Sequence, residues 1–263
     1  MVYIYGGSYK TGSIFKQSHD CRYIAYRGDV VMVIMNYRAG PFGFMYGGTD
    51  ESTNIGFYDQ ILALQWVQAN IAKFGGNPNQ VTIFGNSAGA GSVGTMILTP
   101  LAANLFHRAI MQSSSVSSFE YKDDQLVYTK ALQDKLNCSN LQCLKVNRTV
   151  DQILNASKEL GDPFSPVYGD QVLPIRPIEA LKSGIFNSNI DLMYGVVESE
   201  GSSFAGDKFP ELNDETLLLT GEQTKEYVQK LIGPEFGQQA ANFYGDLMEL
   251  PLRPSLNESR YGF

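Results

Sequence analysis

The stretch VTIFGNSAGAGS at residues 81–92 restricts the possible folds more than any other part of the chain. Four apolar or β-branched residues run into Gly85-Asn86-Ser87-Ala88-Gly89, and a helix-compatible run follows as far as Pro100. The order is strand, sharp turn, helix, with a serine between two glycines in the pattern G-x-S-x-G. As a bare pattern this also fits an ordinary glycine turn. Its flanks are the setting in which such a serine stands exposed at a strand end, beside the positive pole of a helix.

The rest of the chain reads as strands alternating with helices, which gives an α/β class. Residues 30–35, VVMVIM, form a continuous apolar run and predict a strand buried on both faces, as in a parallel sheet covered by helices. Tyr58, Leu62, Trp66 and Ala69 recur at helical spacing over residues 58–73, so Trp66 is expected in the core, and Gly75, Gly76 and Pro78 stop the helix. Residues 81–84, 108–112 and 191–197 are further strand candidates, and residues 124–136 and 152–160 read as helices. Thr149 with Gln152 three residues on is a capping-box pattern for the second of these. Beyond Gly221 the chain turns mostly helical, broken at Gly233-Pro234, with a proline-rich tail after Leu250. No repeat or Gly/Ser-rich linker divides it, so residues 1–263 are expected to form one domain.

Composition narrows the function classes. A formal net charge of −7 and the lack of a basic stripe argue against nucleic-acid binding. The longest apolar run is far short of the roughly 18 residues of a membrane span. Cys138 and Cys143 flank the short segment SNLQ and could close a small disulfide loop, leaving Cys21 over. Sequons at Asn137, Asn147, Asn155 and Asn257 lean towards a secretory route.

A free serine hydroxyl is a poor nucleophile. Hydrolysis through Ser87 needs a base, a carboxylate to orient that base, and donors for the oxyanion. The stretches NYRAGPFGF, NIGFYDQILALQWVQANIAKFGGNPNQVTIFGNSAGAGSVGTMILTP and LFHRAIMQSS, with PFSPVYGDQVLPIRPIEALKSGIFNSNIDLMYGVVESEGSSF further on, resemble the type-B carboxylesterase and cholinesterase-like family of α/β-hydrolases. The resemblance implies a central, mostly parallel sheet with helices on both faces, here incomplete at its N- and C-terminal ends. It matches Ser87 to the nucleophile and Ala88 to one oxyanion-hole donor, and IYGGSY places the other donors on Gly7 and Ser8. Ser8 stands where the family usually has a third glycine, and its side chain would narrow the acyl pocket. Glu200, in ESEGSSF, matches the family's acid; Glu198 is the alternative, as a loop carboxylate. Cys138 and Cys143 resemble the family's disulfide loop near a CLR segment, although the loop is short.

The implied chemistry is ester cleavage through an acyl-enzyme, with a small-molecule ester as partner and no cofactor or metal required. Asn86 replaces the glutamate that in cholinesterases precedes the nucleophile and helps bind cationic substrates, which points to general esters. The base is the gap. The only histidines, His19 and His107, both precede Glu200 and so break the order serine, acid, histidine. His107 reads as a packing residue and His19 as a surface loop residue. Either the chain is a fragment of a longer esterase, inactive alone, or it is a non-catalytic adhesion or binding relative. Retention of Ser87, Glu200 and the glycine loop favours the enzyme.

Overall fold

The structure is a computed structural model and describes residues 1–48, 53–116, 119–198, 200–214, 217 and 219–233. They fall into two compact units, Met1–Val196 and Val197–Phe263. The elements of the first are, in order, β1 (Val2–Ile4), α1 (Arg22–Gly28), β2 (Val33–Ile34), α2 (Gly40–Phe44), α3 (Ile55–Asn70), β3 (Thr82–Asn86), α4 (Ala88–Leu98), β4 (Arg108–Gln112), β5 (Glu120–Tyr121), α5 (Leu126–Lys135), α6 (Leu141–Asn147), α7 (Val150–Glu159), β6 (Val167–Tyr168), α8 (Pro177–Lys182) and β7 (Asp191–Gly195). The second holds α9 (Ser202–Lys208) and α10 (Gly221–Ile232).

Five strands form one parallel sheet in the order β2-β1-β3-β4-β7, and β5 pairs with β6 apart from it. Register puts Val2, Ile83 and Ala109 in one row and Ile4, Gly85 and Met111 in the next. All six are buried, because α4 packs on this face. The opposite face carries Tyr3, Phe84 and Ile110 and is only half-buried. β4 falls on the residues expected of it. The strand expected over residues 30–35 shrinks to Val33–Ile34 and is half-buried, since among the described strands β2 is an edge with β1 on one side only.

The helix expected over residues 58–73 starts earlier, at Ile55, and its last turn tightens into a 3-10 turn at Ile71–Phe74, capped by Gly75 at φ +83°. Its buried face is also turned. Phe57, Gln60, Ile61, Leu64 and Val67 face the core, whereas Leu62 is 65% and Trp66 47% exposed. Apolar residues occur on both sides of α3, so periodicity did not select the inner one.

A second cluster, Leu132, Cys138, Leu144, Ile153, Ala156 and Phe164, lies among α5, α6 and α7. The capping box forms at the start of α7, where Thr149 Oγ1 accepts from Gln152 N and Thr149 N donates to Gln152 Oε1. Cys138 and Cys143 are disulfide-bonded across 5.4 Å between Cα atoms, and Cys21 is free. In the second unit Phe209 packs edge-on to Tyr227, whose hydroxyl donates to Glu211, and Thr220 caps α10. The proline-rich tail lies outside the described residues.

Candidate active site

β3 delivers the chain to Ser87 at the C-terminal edge of the parallel sheet, and α4 leaves from it. Ser87 itself has φ +55° and ψ −127°, a conformation that side chains seldom adopt. The turn is held on both sides, since Ser87 N donates to Gln112 O of β4 at 2.9 Å and Gly91 N donates to Ser87 O at 3.0 Å. Strain kept at such a turn thrusts the hydroxyl outward and fixes it in space.

The glycines around it are places where no side chain fits. A Cβ on Gly85 would stand 2.4 Å from the Gly89 carbonyl carbon. A Cβ on Gly6 would stand 2.5 Å from Asn86 O and 3.1 Å from Ser87 Cβ, so the loop after β1 lies directly against the serine turn. That loop holds Gly7 at φ +127°, Ser8 at +55° and Tyr9 at +60°, with Lys10 N and Thr11 N both donating to Gly7 O. The structure thus brings Ser87 and Ala88 together with the Gly6-Gly7-Ser8 loop. Backbone N–H groups at a helix start and in a positive-φ loop are the donors an oxyanion needs.

Glu200 belongs to the second unit, where its Oε1 accepts from Val197 N at 2.9 Å. His107 packs structurally, as expected: its Nδ1 accepts from Val81 N at 3.3 Å, at the far end of β3 from Ser87. The length of that strand separates them by about 20 Å. His19 differs from expectation. It is buried, stacks on Tyr5 with ring centroids 5.6 Å apart, meets Tyr3 edge-on, and donates from Nδ1 to Ser13 O at 2.8 Å. Tyr3 of β1 and Tyr5 just after it draw it off the surface, and a polar flanking sequence gives no sign of them.

Sequence reasoning missed a buried polar group behind the loop. Tyr9, Gln60 and Ser92 are all buried, and Gln60 Nε2 donates to Ser92 Oγ at 3.1 Å. The available signal was a glutamine in register with Phe57, Ile61 and Leu64 on α3, visible only with the correct helix phase. Among the described residues no group of three His, Cys, Asp or Glu side chains could hold a metal ion, and no helix is long and apolar enough to cross a membrane.

A sequence profile of the carboxylesterase family matches residues 1–249. Acetylcholinesterase of Danio rerio is 41% identical over 224 residues, covering 78% of this chain and 35% of that protein. Cholinesterase 1 of Branchiostoma lanceolatum is 36% identical over 246 residues, covering 85% of this chain and 68% of that one. Among solved structures, a carboxylesterase of Geobacillus stearothermophilus superposes with a TM-score of 0.81 at 32% identity, over 98% of this chain and 53% of its own. A PNB esterase superposes with a TM-score of 0.74 at 31% identity, over 94% of this chain and 53% of its own. The chain therefore spans about a third of the zebrafish protein's length and about half that of the two esterase structures. With the strained serine turn, the glycine loop seated on it and the parallel sheet beneath both accounted for, this chain belongs to the carboxylesterase family and has its α/β-hydrolase fold.

Proposed function

We propose that in the whole protein Ser87 is the nucleophile of a carboxylic-ester hydrolase. The observation that carries this reading is the positive-φ turn at Ser87 with the Gly6 loop packed against it, in a chain of this family. Ser87 Oγ attacks the ester carbonyl and passes its proton to a base. The N–H groups of Gly7, Ser8 and Ala88 receive the developing oxyanion. The alcohol leaves with a proton returned from the base, and water cleaves the acyl-enzyme. Glu200 orients the base, and the reading requires a histidine other than His19 and His107. The profile match runs across the boundary between the two units, which supports treating residues 1–263 as parts of one domain.

Two of the matched relatives are named as cholinesterases, yet Asn86 offers no negative charge beside Ser87. We therefore assign neutral carboxylic esters as the substrate class. The disulfide and the exposed sequons Asn137, Asn147 and Asn155 support a secreted glycoprotein.

The test is turnover of short neutral esters by protein made from its complete reading frame. Ser87→Ala should reduce kcat by about 1000-fold or more without altering the melting temperature. Retained turnover in that variant would remove Ser87 from the mechanism, and a clear preference for choline esters would overturn the substrate class.

A further inference from the structure

The loop that follows β1 is built from strained backbone, with Gly7, Ser8 and Tyr9 all at positive φ, and such a run keeps its shape only where its surroundings fix it. One short segment holds it from outside. Residues 36–40, NYRAG, bond to the loop at its start, middle and end: Tyr37 Oη donates to Tyr5 O at 2.7 Å, Gly40 N donates to Tyr9 O at 2.7 Å, and Asn36 Oδ1 accepts from Ile14 N at 2.9 Å.

Of the three, the Tyr37 bond lies nearest the chemistry. Tyr5 O belongs to the planar peptide unit that ends at the Cα of Gly6, and a Cβ on Gly6 would stand 3.1 Å from Ser87 Cβ. That unit is pinned at its oxygen by Tyr37 and pressed at its far end against the serine turn, and the next N–H along the chain is that of Gly7. Tyr37 is buried, and its ring stacks on Tyr5 with centroids 4.6 Å apart. A phenylalanine would stack there as well, so the hydroxyl is the part that calls for a reason. In an apolar core a hydroxyl costs free energy unless it is bonded, and the carbonyl that Tyr37 Oη meets is Tyr5 O.

Tyr37 is itself held. Arg38 N donates to Asp59 Oδ2 at 2.9 Å, and the Arg38 guanidinium grips both oxygens of that carboxylate, at 2.8 and 2.6 Å. Asp59 stands on α3. The Arg38 carbonyl oxygen is wedged as well, since a Cβ on Gly43 would stand 2.0 Å from it and one on Gly56 2.5 Å. An ion pair this exposed adds little stability, yet a forked pair fixes geometry. It ties residue 38 to α3 and so sets where the Tyr37 hydroxyl can reach.

We propose that Tyr37 is a positioning residue: its hydroxyl, anchored to α3 through the Arg38–Asp59 clamp, pins the peptide that leads into Gly6 and so keeps the Gly7 and Ser8 N–H groups aimed at the reacting carbonyl oxygen. This rests on the catalytic reading of Ser87.

The experiment uses protein from the complete reading frame and compares Tyr37→Phe, Asp59→Asn, the double variant and Cys143→Ser with the parent, by steady-state kinetics and amide hydrogen exchange. Tyr37→Phe should lower kcat by about five- to ten-fold with KM within about two-fold, since the loop donors act on the transition state. Asp59→Asn should lower kcat by about three-fold, and the double variant should lose less than the product of the two, because the clamp acts through the tyrosine. Tyr37→Phe should also speed exchange of the peptide covering residues 6–12 by about five-fold, as one lost buried hydrogen bond permits, and leave α6 unchanged. Cys143→Ser, whose bond belongs to the other buried cluster, should do the reverse and spare kcat. Parent-like exchange of residues 6–12 in Tyr37→Phe would overturn the proposal. So would a rise in α6 equal to that in the loop, or a kcat no lower than that of Cys143→Ser, since the hydroxyl would then serve stability alone. In a protein without esterase activity the exchange pattern still decides: a selectively loosened loop would uphold the pinning while the catalytic reading of Ser87 falls.

Discussion

Gly89 lies so close to Ile4 that a Cβ on the glycine would stand 2.0 Å from the Ile4 carbonyl oxygen and 2.9 Å from its carbon. The contact is backbone against backbone, between the first turn of α4 and the end of β1, so neither side has a flexible group to move aside. It sets the depth at which the nucleophile helix sits on the sheet. Gly89→Ala is expected to lower stability by about 3 kcal/mol, at the upper end of overpacking costs, and to displace the start of α4. Chemical denaturation of the variant measures this, and a loss under about 0.5 kcal/mol would mean that the helix can slide.

Asn86 is exposed and adjoins Ser87. A carboxylate introduced there would attract a cationic substrate with a Coulomb energy of about 1 to 4 kcal/mol at 4 Å, depending on how far water screens the site. Asn86→Glu is therefore expected to raise kcat/KM for a choline ester relative to a neutral ester of the same acyl group by about five- to tenfold. The effect should shrink as salt is added. An unchanged ratio would show that this position does not face the leaving group.

The bond between Cys138 and Cys143 closes a loop of sequence separation 5, next to the buried cluster of Leu132, Leu144 and Phe164. Chain-entropy reasoning gives about 2 kcal/mol for so short a loop. Cys143→Ser is expected to lower stability by that amount and to speed amide exchange in α6 far more than in β3 and β4. Cys138 belongs to the second buried cluster and not to the one that holds Ala88 and Val93 of α4, so kcat should stay within about two-fold of the parent. A large fall in kcat would tie the loop to the active site.

Where the sequence could be read, one local rule dominated. Thr149 and Gln152 make a capping box that needs only their mutual spacing, and residues 108–112 form a strand with buried Ala109 and Met111 alternating against the residues beside them. The turn at Ser87 was legible because its glycines answer to close backbone approach, a demand set within a few residues and one neighbouring strand. Legibility failed where distant partners decide. Leu62 and Trp66 were as apolar as Ile61 and Leu64, and only the sheet selects between them. His19 sits among polar residues in sequence and between Tyr3 and Tyr5 in space. The Tyr9, Ser92 and Gln60 group draws on three separate elements, and no periodicity joins them. The roles given to Glu200, Gly7 and Ser8 come from family resemblance; spacing alone would not have supplied them.

Tyr9 and Tyr37 give the protein a specific alkaline limit. Burial raises both phenols above the ordinary value of 10.0, and for Tyr37 the neighbouring Tyr5, Tyr9 and Tyr3 add to the effect. The folded state therefore keeps these protons at pH values where the unfolded chain has lost them, and unfolding releases them. By linkage, stability is constant in this respect below about pH 10 and falls above it, by about 1.4 kcal/mol per pH unit for each phenol still protonated in the fold. Phenolate absorbance from this pair should appear only together with loss of near-ultraviolet circular dichroism. Tyr37→Phe forfeits the 2.7 Å bond from Tyr37 Oη to Tyr5 O, about 1 kcal/mol at neutral pH, yet should make the decline above pH 10 shallower. A variant whose stability falls with pH as steeply as the parent's would show that Tyr37 ionises without unfolding, and that the wall of aromatic rings around β1 admits water.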